Sequence, residues 1–141
     1  MHFDLENGDY LHLAVVERGT VGVRYDCRVR AELRCGKFVG ETNAWLDGPD
    51  VEGFLAELGA VPDQLKETAT LQSDDGFSLM LRLAPTDSLG HFLLEVRLGQ
   101  RAFIQSVEHR TSMSGAFALD ASALAGLHVS ALNCFREVAD A

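Results

Sequence analysis

The sequence has few of the residues that covalent or metal-based frameworks need. Its three cysteines, Cys27, Cys35 and Cys134, are an odd number with no C-x-x-C spacing. This pattern favours reduced thiols in a cytoplasmic protein over a disulfide framework or a zinc site. The five histidines also lack the H-x-x-x-H and H-E-x-x-H spacings that place two metal ligands on one helix face. We therefore expect neither a metal ion nor another cofactor.

Long apolar runs and an excess of positive charge are also lacking. No stretch approaches the roughly 18 apolar residues that a membrane-spanning helix requires. Residues 1–6 have neither the basic nor the apolar region of a signal peptide. The 12 basic and 21 acidic residues give a formal net charge of −9 at pH 7, which opposes binding to nucleic acid and to anionic membranes. We expect a cytoplasmic protein that binds neither.

Catalytic motifs are a further absence. There is no G-x-S-x-G elbow, phosphate-binding glycine loop or dinucleotide fingerprint. The tripeptide Asp74-Asp75-Gly76 begins like a calcium-binding loop, but the later ligands of that loop do not follow, so it predicts a turn. The residues alone assign no enzymatic activity, and we expect the protein not to be an enzyme.

What the sequence does have is the composition of a folded domain. Its 141 residues are 47% hydrophobic and 23% charged, which is typical of globular proteins. This length is close to the commonest domain size and is long enough to bury a core without disulfides. We expect one domain over residues 1–141.

The clearest pattern lies between Val21 and Leu33, where seven consecutive odd positions are apolar. A period of two predicts a strand with one buried face. The outer face carries four of the twelve basic residues, and we take four residues of this face as candidate partner-binding residues: Arg24, Asp26, Arg28 and Arg30. The alternative is that the arginines pair with acids such as Glu17 and Glu41 on neighbouring strands, and we favour it because acids interrupt the stripe.

The remaining patterns predict an α+β fold. Residues 68–98 read as three strands joined by short turns, and Asn7-Gly8 favours an opening hairpin. Further turns are expected at Gly99-Gln100 and at 111–115. Pro49 and Gly59 bound a short central helix, and Asp120 or Ser122 caps a longer C-terminal one. We expect an antiparallel, curved, meander-like sheet of about six to eight strands with both helices packed on it, and Trp45 in the core.

The order of elements from residue 45 to residue 141 resembles that of WapI-type immunity proteins and related small bacterial proteins. The residues that carry this resemblance are Trp45-Leu46, Phe54-Leu55, Leu58, Leu71, Phe77-Ser78-Leu79, Gly90-His91-Phe92 and Leu119-Asp120. The resemblance implies a binding protein that neutralises a cognate protein toxin, without catalysis or a cofactor. We expect the mechanism to be stoichiometric occlusion of the toxin by a preformed surface. The resemblance supplies no binding residues.

Two other functions remain open from the sequence. The chain is alternatively a small-molecule-binding or enzymatic domain built on the curved sheet, with a substrate that the sequence does not name. It is alternatively a self-associating structural protein in which the strand face from Arg24 to Arg34 forms a dimer interface. Both a monomer and a homodimer are compatible with the patterns.

Overall fold

Two antiparallel sheets and two α-helices make up the computed structural model, which describes residues 1–61 and 68–140. Each sheet has four strands in chain order. The first contains β1 (His2–Asp4), β2 (Tyr10–Arg18), β3 (Cys27–Cys35) and β4 (Phe38–Leu46). The second contains β5 (Ala69–Gln72), β6 (Leu79–Pro85), β7 (Phe92–Ile104) and β8 (Val107–Leu119). The predicted α+β class with antiparallel strands is confirmed, but the strands divide between two open sheets.

The helices lie where the capping signals predict them. Helix α1 (Gly48–Ala60) has Pro49 in its first turn, and α2 (Ala121–Cys134) begins with the carboxylate of Asp120 accepting a hydrogen bond from the Ala123 amide at 2.7 Å. A short 3-10 helix (Arg136–Val138) follows. The expected stop at Gly59 is wrong by one residue: α1 continues through Gly59, against which the ring of His128 packs. The loop expected around Pro62 lies outside the described residues.

The core lies between the sheets and beneath the helices. Alternate side chains of β3, β6, β7 and the end of β4 are buried, and with buried residues of both helices they form one hydrophobic cluster. Helix α1 packs beside β5, and α2 packs against α1, β1, β2 and β8. Each fully buried leucine or phenylalanine contributes roughly 1.5–3 kcal/mol by leaving water. Among the described helices, none is long and apolar enough to cross a membrane.

Close contacts join the two sheets where β3 and β4 cross β7 and β8. The sulfur of Cys35 lies against Gly115, at a position where a β-carbon on residue 115 would overlap it. The hydroxyl of Thr42 donates a 2.8 Å hydrogen bond to the Gly99 carbonyl, and both groups are buried. At these two contacts a glycine and a satisfied polar group allow the sheets to approach closely.

The long strand expected from Val21 begins only at Cys27. Residues 21–26 form a loop in which Tyr25 has a φ of 68° and donates its amide to the Val138 carbonyl at 2.6 Å. Val21 is exposed, whereas Tyr25 is buried beside the C-terminal segment. The first half of the alternating pattern therefore reflects two separate environments and not one strand face.

The breaks expected at Gly99-Gln100 and at 111–115 are also wrong. Strands β7 and β8 pair residue for residue over 13 positions, from Phe92 opposite Leu119 to Ile104 opposite Val107. Gly99 continues the strand because its missing side chain leaves room for Phe77. The outer part of this hairpin, residues 100–111, is exposed on both faces. We call these residues the arm.

Candidate functional site

The four candidate partner-binding residues do not form one row in the structure. Arg28 and Arg30 lie on the outer face of β3, whereas Arg24 and Asp26 lie in the preceding loop. Arg24 pairs with Glu52 of α1 at 3.5 Å. The carboxylate of Asp26 accepts a 2.6 Å hydrogen bond from the Thr20 amide, and this bond lowers the pKa of Asp26. These two residues therefore hold the loop to the rest of the fold.

The arginines of β3 pair with the acids expected from the sequence. Arg28 contacts Glu17 with an N–O distance of 2.9 Å, and Arg30 contacts Glu41 at 3.5 Å. A register shift between Val15 and Glu17 brings Glu17 opposite Arg28. All four side chains are at least one-third exposed, so water screens these pairs and each is worth well under about 1 kcal/mol. Their main effect is to fix the arginine side chains in place.

The most informative residue of this face is Trp45, the only tryptophan in the chain. It lies opposite Arg28 in the β3–β4 ladder, and its side of β4 faces outward, so 41% of its surface remains exposed. The guanidinium carbon of Arg28 lies 5.9 Å from the centre of the ring. The expected burial of Trp45 in the core is therefore wrong. The buried neighbours Ala44 and Leu46 occupy the alternating inward positions instead.

Carboxylates lie beside Trp45 on the far side from β3. The Asp74 amide donates to the Trp45 carbonyl at 3.0 Å. Asp47, two residues after Trp45, occupies the N-cap position of α1 without a side-chain capping hydrogen bond. Desolvation, followed by repulsion from Asp50, Asp74 and Asp26, raises the pKa of Asp47. We call the surface formed by Glu17, Arg28, Trp45, Asp47 and Asp74 the Trp45 face.

A shallow cavity of about 510 Å³ opens on the Trp45 face. Its lining combines the indole of Trp45 with four acidic residues and one basic residue: Glu17, Asp26, Asp47, Asp74 and Arg18. The guanidinium of Arg18 donates to the carbonyls of Glu137 and Asp140. An aromatic ring near carboxylates favours a cationic side chain, because the ring quadrupole and the negative charges attract it together. This arrangement suits a cationic group.

A second open surface lies at the base of the arm. A cavity of about 570 Å³ is lined by Cys35 and by residues 38–42, 98–100 and 111–114. We call it the mouth, because the two sheets part here and leave core-side residues uncovered. Phe38 is 75% exposed although it shares the alternating side of β4 with buried Thr42 and Ala44. Sequence periodicity alone could not find this opening, since it predicts the same burial for every inward position.

Other clusters of ionisable side chains are small. The rings of His2 and Tyr10 flank the ring of His12, whose Nε2 lies 2.7 Å from the Asp4 carboxylate. Across residues 1–61 and 68–140, no group of three or more histidine, cysteine, aspartate or glutamate side chains could hold a metal ion. Burial raises the pKa of the Cys27 thiol to about 12, which makes it a poor nucleophile.

Comparisons of the chain with protein-family models, with curated proteins and with solved structures found no match.

Proposed function

We propose that this chain is a non-catalytic binding protein of the immunity type, which neutralises a bacterial protein toxin by covering it. The observation that carries the proposal is the exposed Trp45, set between an arginine and a group of carboxylates. The toxin class rests on the resemblance to WapI-type immunity proteins. The Trp45 face is the contact surface in this proposal.

The physical argument begins with the indole. Tryptophan is enriched among the residues that dominate protein interfaces, because it buries a large area with few rotatable bonds. In this chain the ion pair between Arg28 and Glu17 holds the guanidinium over the ring. Trp45 is therefore partly ordered before a partner arrives, which reduces the entropy that binding must overcome.

Charge selects the kind of partner. The chain carries a net charge of −9, and Asp47 and Asp74 stand beside Trp45 without an ion pair to any described residue. Such a surface attracts a basic protein and speeds its association, an effect that weakens as salt screens the charges. We therefore propose that the partner presents lysine or arginine side chains to the Trp45 face.

Co-expression with the protein encoded by the adjacent gene tests the function. The expected result is relief of that protein's toxicity and a one-to-one complex on size-exclusion chromatography. Growth arrest that persists when this chain is expressed, with no complex in the purified mixture, would contradict the proposal. If Trp45→Ala binds the partner as tightly as the wild type does, the Trp45 face is not the contact surface.

A further inference from the structure

The two faces of the arm differ in charge. On the outer face, Arg101 and Arg110 pair with Glu108 at 3.5 and 3.3 Å, and both guanidiniums lie over the ring of Phe77 at 5.7 and 5.1 Å. The core-side face continues the alternation of the buried positions of β7 and β8, and its residues are Gln100, Ala102, Ile104, Val107, His109 and Thr111. None of these six carries a carboxylate, a guanidinium or an ammonium group.

This uncharged face is apolar at its tip. Ile104 and Val107 pair at the end of the hairpin, and each is 58% exposed. At the other end of the same face, Leu98 and Met113 pair at the floor of the mouth, with Phe38 at its side. Ile104 lies six positions after Leu98, which is about 20 Å along a strand. The face therefore has an apolar knob at one end and an apolar recess at the other.

We propose that the mouth and the core-side face of the arm bind a second copy of this chain. When two arms stack antiparallel about a two-fold axis, the tip of each arm enters the mouth of the other. A two-fold interface requires one surface to contain both complementary parts. The knob formed by Ile104 and Val107 and the recess beside Phe38 meet that requirement on one strip of the molecule.

Charge favours a second copy over a charged partner at this place. Two copies each carry −9, so they can associate closely only where their acids stay apart. The two arginines and one glutamate of the arm give it a net charge of +1. Glu41, the acid that lines the mouth, pairs with Arg30. No other acid is among the described residues that line the mouth, and the Asp9 carboxylate at its edge accepts a hydrogen bond from the Gly36 amide.

The size of the surface predicts a weak dimer. A ribbon two strands wide and about 20 Å long presents roughly 200 Å² on one face. Even if the walls of the mouth double that area, the contact stays below the roughly 800 Å² per partner of a standard stable interface. We therefore expect a reversible dimer with a dissociation constant in the micromolar range or above.

Sedimentation velocity over roughly 5 to 500 μM protein tests this proposal directly. The wild type is expected to shift from monomer toward dimer as its concentration rises, whereas Ile104→Glu stays monomeric because it puts a charge on the knob. The matched control is Phe103→Glu, since Phe103 is the neighbouring exposed residue on the outer face of the arm. It is expected to dimerise like the wild type.

A wild type that remains monomeric at the highest concentration overturns the proposal. Equal dimerisation of Ile104→Glu and Phe103→Glu overturns it as well. If Arg28→Glu loses the dimer and Ile104→Glu keeps it, the outer face of β3 forms the dimer contact. That result contradicts the proposal that the mouth and the arm form it. Salt supplies a second readout: it should strengthen an uncharged contact between two acidic copies by screening their repulsion, and weakening by salt contradicts the account.

Discussion

The guanidinium of Arg28 lies over the ring of Trp45, with 5.9 Å between its carbon and the ring centre. Both side chains project from the outer face of the first sheet, where β3 and β4 bring them directly opposite each other. Glu17 completes the row from β2. A tryptophan on a solvent-facing strand position is thereby held in a defined place by residues that the core does not require.

Replacement of Arg28 by alanine is expected to leave the fold intact and to increase access of small molecules to Trp45. The guanidinium covers part of the indole, and its exposed ion pair contributes little to stability. Because Trp45 is the only tryptophan, acrylamide quenching of the intrinsic fluorescence reports on this residue alone. Quenching should rise in Arg28→Ala and stay at the wild-type level in Arg82→Ala, which removes a similar exposed ion pair on the other sheet.

Replacement of Gly115 by alanine is expected to destabilise the protein by about 1–3 kcal/mol, because the new methyl group overlaps the sulfur of Cys35 where the sheets meet. Urea unfolding measures the loss. The change Cys35→Ala removes that sulfur, so Gly115→Ala should cost clearly less in a Cys35→Ala background. An equal cost in both backgrounds would show that the two residues do not limit the approach of the sheets.

A turn sequence that favours positive φ values at the tip of the arm is expected to stabilise the protein. Gln105 and Ser106 have φ values of 51° and 64° in the two-residue loop between β7 and β8, and side chains other than glycine and asparagine adopt such values at a cost. The double change Gln105→Asn and Ser106→Gly should raise the free energy of unfolding by about 0.5–1 kcal/mol, because relief of the positive φ values outweighs the added freedom of glycine in the unfolded chain. Thermal and urea unfolding measure it, and a decrease would contradict the turn geometry.

Asp75 is expected to contribute to stability above its ordinary pKa of 3.8. Partial burial would raise that pKa, but hydrogen bonds from Ser78, Phe77 and Ser73 outweigh it and lower the pKa well below the ordinary value. A lowered folded-state pKa means that the stabilisation is complete above pH 3.8 and is lost as the pH falls toward the folded value.

The change Asp75→Asn should therefore cost about 1 kcal/mol at neutral pH, a modest figure because the carboxylate is largely exposed. The difference from wild type should shrink in urea unfolding at acid pH. Asp74→Asn is the neighbouring control, since no described residue donates a hydrogen bond to the Asp74 carboxylate. A cost of Asp75→Asn that does not change with pH would contradict the assigned shift.

Sequence patterns predicted the parts of the fold that local chemistry determines. Apolar alternation identified β6 and the first half of β7, and Asp120 marked the start of α2. The patterns failed where distant residues decide the outcome. Tyr25 turns out of the expected strand because the C-terminal segment accepts its amide, and Gly99 continues β7 because Phe77 packs against it.

In the candidate site, too, local patterns predicted some features and distant contacts decided others. The pairing of Arg28 and Arg30 with Glu17 and Glu41 was predictable from cross-strand charge. The outward position of Trp45 was not predicted. Because Ala44, Trp45 and Leu46 are all apolar, the sequence is compatible either with Trp45 inward or with Ala44 and Leu46 inward. A one-residue shift of register reverses every side chain of a strand, and in the structure β4 packs its Ala44 and Leu46 side inward, in contact with β7.

The most direct test of the central claim is the affinity of Trp45→Ala for the protein encoded by the adjacent gene, measured by isothermal titration calorimetry beside the wild type and Phe103→Ala. Loss of a central tryptophan anchor is expected to weaken binding by about 30-fold or more, while Phe103→Ala binds like the wild type. Equal affinity of Trp45→Ala and the wild type would contradict the assignment of the Trp45 face as the partner-binding surface.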